Sequence, residues 1–142
     1  MLCEQVMRRY PKFLAENDTV QAAAKLMRDE NIGFVPVCGT DGKVVGIVTD
    51  RDIVVKIASD GGLLGKPLTT LMSREVVSCK AKDDLTRAEQ LMEQNQKSRI
   101  VCVDDQGKAI GVISLSDIAQ HEDGDRASQL LRIISQREAR LH

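Results

Sequence analysis

With 142 residues the chain has room for one ordinary domain or two very small ones, which excludes a large multidomain enzyme. Apolar residues make up 42% and charged residues 29%, close to globular averages, so the chain can bury a core and should fold. Lys and Arg total 20 against 21 acidic residues, with Tyr10, Phe13 and Phe34 as the aromatics and no Trp. That balance supplies neither the field for a polyphosphate backbone nor stacking platforms for bases, so no nucleic acid partner is expected.

No apolar run approaches the roughly 18 residues needed to cross a bilayer, and Met1-Leu2-Cys3-Glu4-Gln5 lacks a basic-then-apolar signal pattern. The expectation is a cytoplasmic chain with no membrane association. The four cysteines, Cys3, Cys38, Cys79 and Cys102, lie at least 23 positions apart, far from the C-x-x-C spacing of zinc or redox sites. They read as reduced, mostly buried small hydrophobes, and no metal site is expected.

Sliding the chain against itself by 65 positions aligns its halves without a gap: Met7 falls on Met72, Asp18 on Asp83, Leu26-Met27 on Leu91-Met92, Gly46 on Gly111 and Asp52-Ile53 on Asp117-Ile118. In chain order, each half opens with a helix. Asp18 with Gln21 three positions on suggests a capping box, followed by Val20, Ala23, Ala24 and Met27 at helical spacing; Leu85, Ala88, Leu91 and Met92 form the equivalent stripe. Apolar runs Phe34 to Cys38 and Ile100 to Val103 follow. Gly-containing turns lead to second runs, Val44 to Val48 and Ala109 to Ile113, predicting strand pairs. Further helices are predicted from Asp50 to about Ser59 and from Leu115 to about Gln120. Gly61-Gly62 and Gly65-Lys66-Pro67 break the chain between halves. Repeats at 1–62 and 63–124 are thus expected, followed by an amphipathic helix at 125–142 with Ala127, Leu130, Leu131 and Ile134 on its stripe. That stripe needs a surface on its own module or on another chain. A unit of about 60 residues buries too little surface to be comfortable alone, so the halves should pair about a pseudo-twofold axis.

At the end of the second strand both halves carry Gly-h-h-[Thr/Ser]-x-x-Asp-Ile, with Thr49 and Asp52 in the first and Ser114 and Asp117 in the second. Taken by itself the pattern is a capping box with Asp in place of Glu, which stabilises a helix start without any ligand. The same geometry also suits a nucleotide. A helix start exposes free N–H groups to a phosphate, and a carboxylate one turn on can accept both hydroxyls of a ribose.

These duplicated halves, together with Gly33-Phe34-Val35-Pro36 and the two motifs, resemble a tandem pair of CBS domains, a Bateman module, over about residues 4 to 122. The resemblance implies an α/β fold of two βαββα repeats, packed sheet to sheet about a pseudo-twofold axis, with the C-terminal helix added. It further implies a homodimer and a regulatory role in energy or metabolite sensing. The ligand would be AMP, ADP, ATP or S-adenosylmethionine, bound between the halves. Carried over by position, Thr49 meets phosphate and Asp52 ribose, while Gly33, Phe34 and Pro36 line the adenine side with Lys12 and Phe13 beside the base. Ser114 and Asp117 do the equivalent work in the second half, with Val77 and Ser78 by its adenine. Arg51 and Arg99 are cationic candidates for phosphate. The second half departs from the pattern, Ser98 standing for Gly33 and Val101 for Pro36, which favours the first site. No required cofactor is implied.

The only histidines are His121 and His142, no base can be placed beside a cysteine, and no enzyme is expected. With no output domain in these residues, a signal would pass to a separate effector protein. The competing reading is a dimerisation module that binds no small molecule, its Thr/Ser–Asp pairs simply capping helices.

Overall fold

The computed structural model describes residues 1–10, 13–62 and 64–139, less the side chains of 137–139. Lys12 lies outside them. The elements in order are α1 (Cys3–Val6), β1 (Leu14–Ala15), α2 (Val20–Glu30), β2 (Phe34–Cys38), β3 (Val44–Thr49), α3 (Asp50–Asp60), a 3-10 turn at Leu68–Thr70, β4 (Ser78–Lys80), α4 (Leu85–Asn95), β5 (Arg99–Val103), β6 (Ala109–Ser114), α5 (Leu115–His121) and α6 (Gly124–Ala139). Each repeat is mixed α/β. One sheet runs β1-β2-β3, the other β4-β5-β6, and the outer short strand lies parallel to the middle one in both. No helix among the described residues is long and apolar enough to cross a membrane.

The predicted helices and strand pairs form close to their expected ends, and the departures have local causes. The cap of α2 is Thr19, whose Oγ1 accepts from Ala22 N at 3.1 Å, rather than Asp18. Asp18 is spent on the turn after β1, where Oδ2 accepts from Ala15 N at 2.8 Å. Asp83 does the same for Lys80 N at 2.9 Å, and Asp84 caps α4. The short strands β1 and β4 carry too few residues for a period-2 signal and take the place of the first strand in the βαββα repeat that the resemblance implies.

Two compact units emerge, and they cut across the sequence repeats. One takes Met1–Tyr10, Val77–Gln106 and the chain from Ile110; the other takes the chain up to Val76 with Gly107–Ala109. Each unit therefore receives its opening segment from the other repeat. In the first, Cys3 N donates to Asp83 O and Arg8 exchanges backbone bonds of 2.9 and 3.0 Å with Val112. In the second, the counterparts are Leu68 N to Asp18 O and the exchange between Ser73 and Ile47 at 2.8 Å.

This backbone crossing explains the motif glycines. A Cβ at Gly111 would stand 2.8 Å from Arg8 O, and one at Gly46 would stand 2.7 Å from Met72 Sδ and 3.0 Å from Ser73 O. The matched pairs Met7/Met72 and Gly46/Gly111 are thus one packing arrangement used twice.

Each unit has an aliphatic core. In one, Val20, Ala23, Val35, Val37 and Val48 gather with Leu68 from the 3-10 turn. In the other, Leu85, Met92, Ile100 and Ile113 gather with Cys3 and Val6 from α1 and with Leu130 and Ile134 from α6. The stripe of α6 thus finds its surface on its own unit, against α4 and α5.

The cysteines are free. Although distant in sequence, Cys3, Cys79 and Cys102 meet in this second core, with Cys79 Sγ 3.8 Å from Cys3 Sγ and 3.5 Å from Cys102 Sγ. The neighbouring sulfur and burial push the Cys79 thiol up to about 12 and that of Cys3 further still. Such thiols are poor nucleophiles and poor metal ligands. Among the described residues no group of three or more His, Cys, Asp or Glu is placed to hold a metal ion.

Candidate functional site

In the unit built on β1-β2-β3, strand direction gathers the candidate residues. β1 runs parallel to β2 with Leu14 beside Val37, and β3, antiparallel to β2, ends beside the start of β2. Phe13 precedes β1, Phe34 opens β2 opposite Thr49, and Pro36 pairs with Ile47. α3 then begins where β3 ends. Phe13, Phe34, Thr49 and Asp52 are all half-buried, and Arg51 is exposed.

The Thr49–Asp52 pair forms a full capping box. Asp52 N donates to Thr49 Oγ1 at 3.2 Å, and Thr49 N donates to Asp52 Oδ2 at 3.0 Å. The box satisfies two of the open N–H groups at the helix start. Gly33 serves the same corner. Its carbonyl accepts from Asp50 N at 3.0 Å, and a Cβ there would stand 2.6 Å from Asp50 Oδ2. Glycine at 33 therefore makes room for the carboxylate of Asp50. In the second half Leu115 replaces Asp50, donates to Ser98 O at 2.8 Å, and carries no carboxylate to displace. The Gly-to-Ser departure follows from that exchange.

The other unit repeats the arrangement with different side chains. Val77 and Ser78 stand at the start of β4, Arg99 opens β5 and is exposed, and Ser114 ends β6. Val101 N donates to Val77 O at 3.1 Å, which joins the outer strand to the middle of β5. Asp117 N donates to Ser114 Oγ at 3.1 Å, and Asp117 Oδ2 accepts from both Ser114 N at 2.9 Å and Ser114 Oγ at 2.8 Å. The Ser114 hydroxyl hydrogen is thereby used inside the box. The Thr49 hydroxyl only accepts in its own.

Two neighbours of this second motif escape a reading by motif alone. Arg8, held by its bridge to Val112, places its guanidinium carbon 6.0 Å from the centroid of the Tyr10 ring. Burial raises the Tyr10 phenol; Arg8 and Arg99 oppose the rise and Asp117 adds to it. Tyr10 thus lies within electrostatic reach of both Arg99 and Asp117. The Met7/Met72 match was the available signal, since it marks residues 1–10 as one copy of a repeated segment. It does not say onto which half that copy folds.

A family model for the CBS domain matches residues 3–59 and 68–124. The chain therefore belongs to the CBS domain family, as a tandem pair. It is 37% identical over 109 residues to the CBS domain-containing protein YhcV of Bacillus subtilis, an alignment covering 77% of this chain and 76% of that one. Among solved structures it resembles the CBS domain pair of protein MJ0100 in complex with 5'-methylthioadenosine and S-adenosyl-L-methionine. That match has 26% identity and a TM-score of 0.72, covering 84% of this chain and 94% of the other. A homoserine O-acetyltransferase of Methanocorpusculum labreanum is 31% identical over 125 residues, but the alignment covers 25% of that enzyme, so the likeness is to a part of it. A CBS pair is a regulatory, ligand-binding module rather than a catalytic one.

Proposed function

We propose that this CBS pair senses an adenosyl ligand, AMP, ADP, ATP or S-adenosylmethionine, and relays its presence to a separate effector protein. The reading rests on one observation. Each unit sets a hydroxyl and a carboxylate one helical turn apart at the end of its last strand, and in the first unit Thr49 pairs there with Phe34 at the start of β2. Thr49 and Ser114 would meet phosphate or its polar equivalent, and Asp52 and Asp117 would meet the ribose. Gly33, Phe34, Pro36, Phe13, Val77 and Ser78 would flank the base, and Arg51 and Arg99 would face the charged end of the ligand. Support also comes from the similar MJ0100 pair, whose ligands are both adenosyl compounds. The better site would be the first, where Asp52 Oδ2 accepts from the Thr49 backbone alone while Asp117 Oδ2 also holds a hydroxyl. A homodimer fits α3, which leaves Val54 66% and Val55 52% exposed.

The competing structural module is favoured by the same capping boxes, which the protein satisfies without a ligand. Thermal melting of the purified chain with AMP, ADP, ATP and S-adenosylmethionine separates the two. A ligand at about 100 times its dissociation constant raises stability by roughly 2.7 kcal/mol. An unmoved melting temperature with every compound, on protein that carries no copurified nucleotide, overturns the sensor.

A further inference from the structure

Among the described residues Glu89 is the one buried charged side chain, 1% exposed. It sits on α4 beneath α6, where Arg126 Nε donates to Glu89 Oε2 at 3.0 Å. Arg126 Nη1 also lies 2.6 Å from Glu93 Oε1. Glu89 Oε1, by contrast, is buried without a hydrogen-bond partner. Glu122, at the end of α5, brings a further carboxyl against Glu89. Two carboxyls thus share one guanidinium, and a third acts on Glu89, at the junction of α4, α5 and α6. The neighbouring His121 is exposed, its Nδ1 lying 2.8 Å from Asp117 O.

The internal repeat supplies a control. At the positions equivalent to Glu89, Glu93 and Glu122 the first repeat has Ala24, Arg28 and Ile57, and among the described residues α3 is followed by a 3-10 turn rather than by an α-helix like α6. The acids occur where the extra helix sits. Apolar residues of similar size would hold a helix at least as well as a buried charge cluster. Adhesion alone therefore does not explain the acids.

Two carboxylates that share a buried site resist ionising together, and one shared proton removes the repulsion and gives an unpaired oxygen its donor. We propose that the seating of α6 on α4 and α5 is proton-dependent, with the buried carboxyl of Glu89 as the switch and Arg126, shared with Glu93, as the fixed counter-charge. Burial, then Glu122, raises Glu89 from the ordinary 4.5 to about 7, against the pull of Arg126. The docked helix thus binds the proton more tightly than the released one. Docking is at full strength below the ordinary glutamate value and weakens as pH rises through about 7. Release would uncover Leu130, Ile134 and the α4 face beneath them, so a change of pH across neutrality alters which apolar surface the module offers.

Amide hydrogen exchange on the full chain, normalised for intrinsic rates, tests this between pH 5.5 and 8.5. Protection of the α6 amides is expected to fall at least about tenfold over that range, because every tenfold by which the docked helix holds its proton more tightly than the released one is worth up to tenfold in docking. Protection of α2, which lacks the cluster, should stay level. Glu89→Gln keeps the shape and cannot ionise, so its α6 profile should be flat. If that variant fails to seat α6 at any pH, Glu122→Gln replaces it and should move the wild-type midpoint downward. An α6 profile that falls equally in wild type and in the variant that seats the helix overturns the proposal, as does a flat wild-type profile.

Discussion

The two Thr/Ser–Asp pairs show how little a motif says about its own use. Thr49 and Asp52 complete each other's hydrogen bonds, as do Ser114 and Asp117, so the pattern would exist for helix stability alone. Asp52→Ala separates the uses. Loss of the cap is expected to lower unfolding free energy by about 1 kcal/mol, read by urea denaturation without ligand. If Asp52 also holds the ribose, the ligand that stabilises wild type should lose at least about tenfold in affinity by calorimetry, the equivalent of roughly 1.4 kcal/mol; unchanged affinity removes that role. The motif glycines were equally visible in the sequence, yet their reason was not. Gly46 and Gly111 answer to a chain segment lying against them, and no local pattern announces an approach from a segment so distant along the chain.

At the level of elements, periodicity carried most of the fold. The α2 and α4 stripes and the four main strands follow from apolar spacing and turn glycines such as Gly42 and Gly107, at φ of 82° and 81°. It could not find β1 or β4, and it could not assign the stripe of α6. The latter needs the three-dimensional neighbours: Leu130 and Ile134 are buried at 0% and 2% exposure, whereas Leu131 on the same stripe is 55% exposed. Leu130→Ala should therefore cost about 2–5 kcal/mol by cavity formation. Leu131→Ala should change the melting temperature little. Equal effects in the two variants would mean that α6 is not seated as described.

Across the whole molecule, the exchange of opening segments brings together residues that the sequence keeps apart. Cys3 and Cys79 are 76 positions apart in the chain yet adjacent in one core. Their thiols are buried and their acidities depressed, so a native sample should react with an exposed-thiol reagent at Cys38 alone, and slowly, since burial raises that thiol too. All four should titrate after unfolding in urea. Rapid reaction of three or four thiols in the native state would show that α1 does not close over Cys79.

The sequence by itself determined the duplication, the mixed α/β class and the positions of the hydroxyl–carboxylate pairs. All three depend on local spacing: the 65-residue offset, apolar periods and a four-residue cap. Tertiary structure alone decided which half each opening segment completes, why Gly33 becomes Ser98, where α6 lies, and that Glu89 is buried among other carboxyls. Those facts depend on contacts between segments distant along the chain. A residue's burial and the charges facing it are properties of that packing, so Glu89 reads in sequence as one more surface acid and in the fold as a group poised near neutrality.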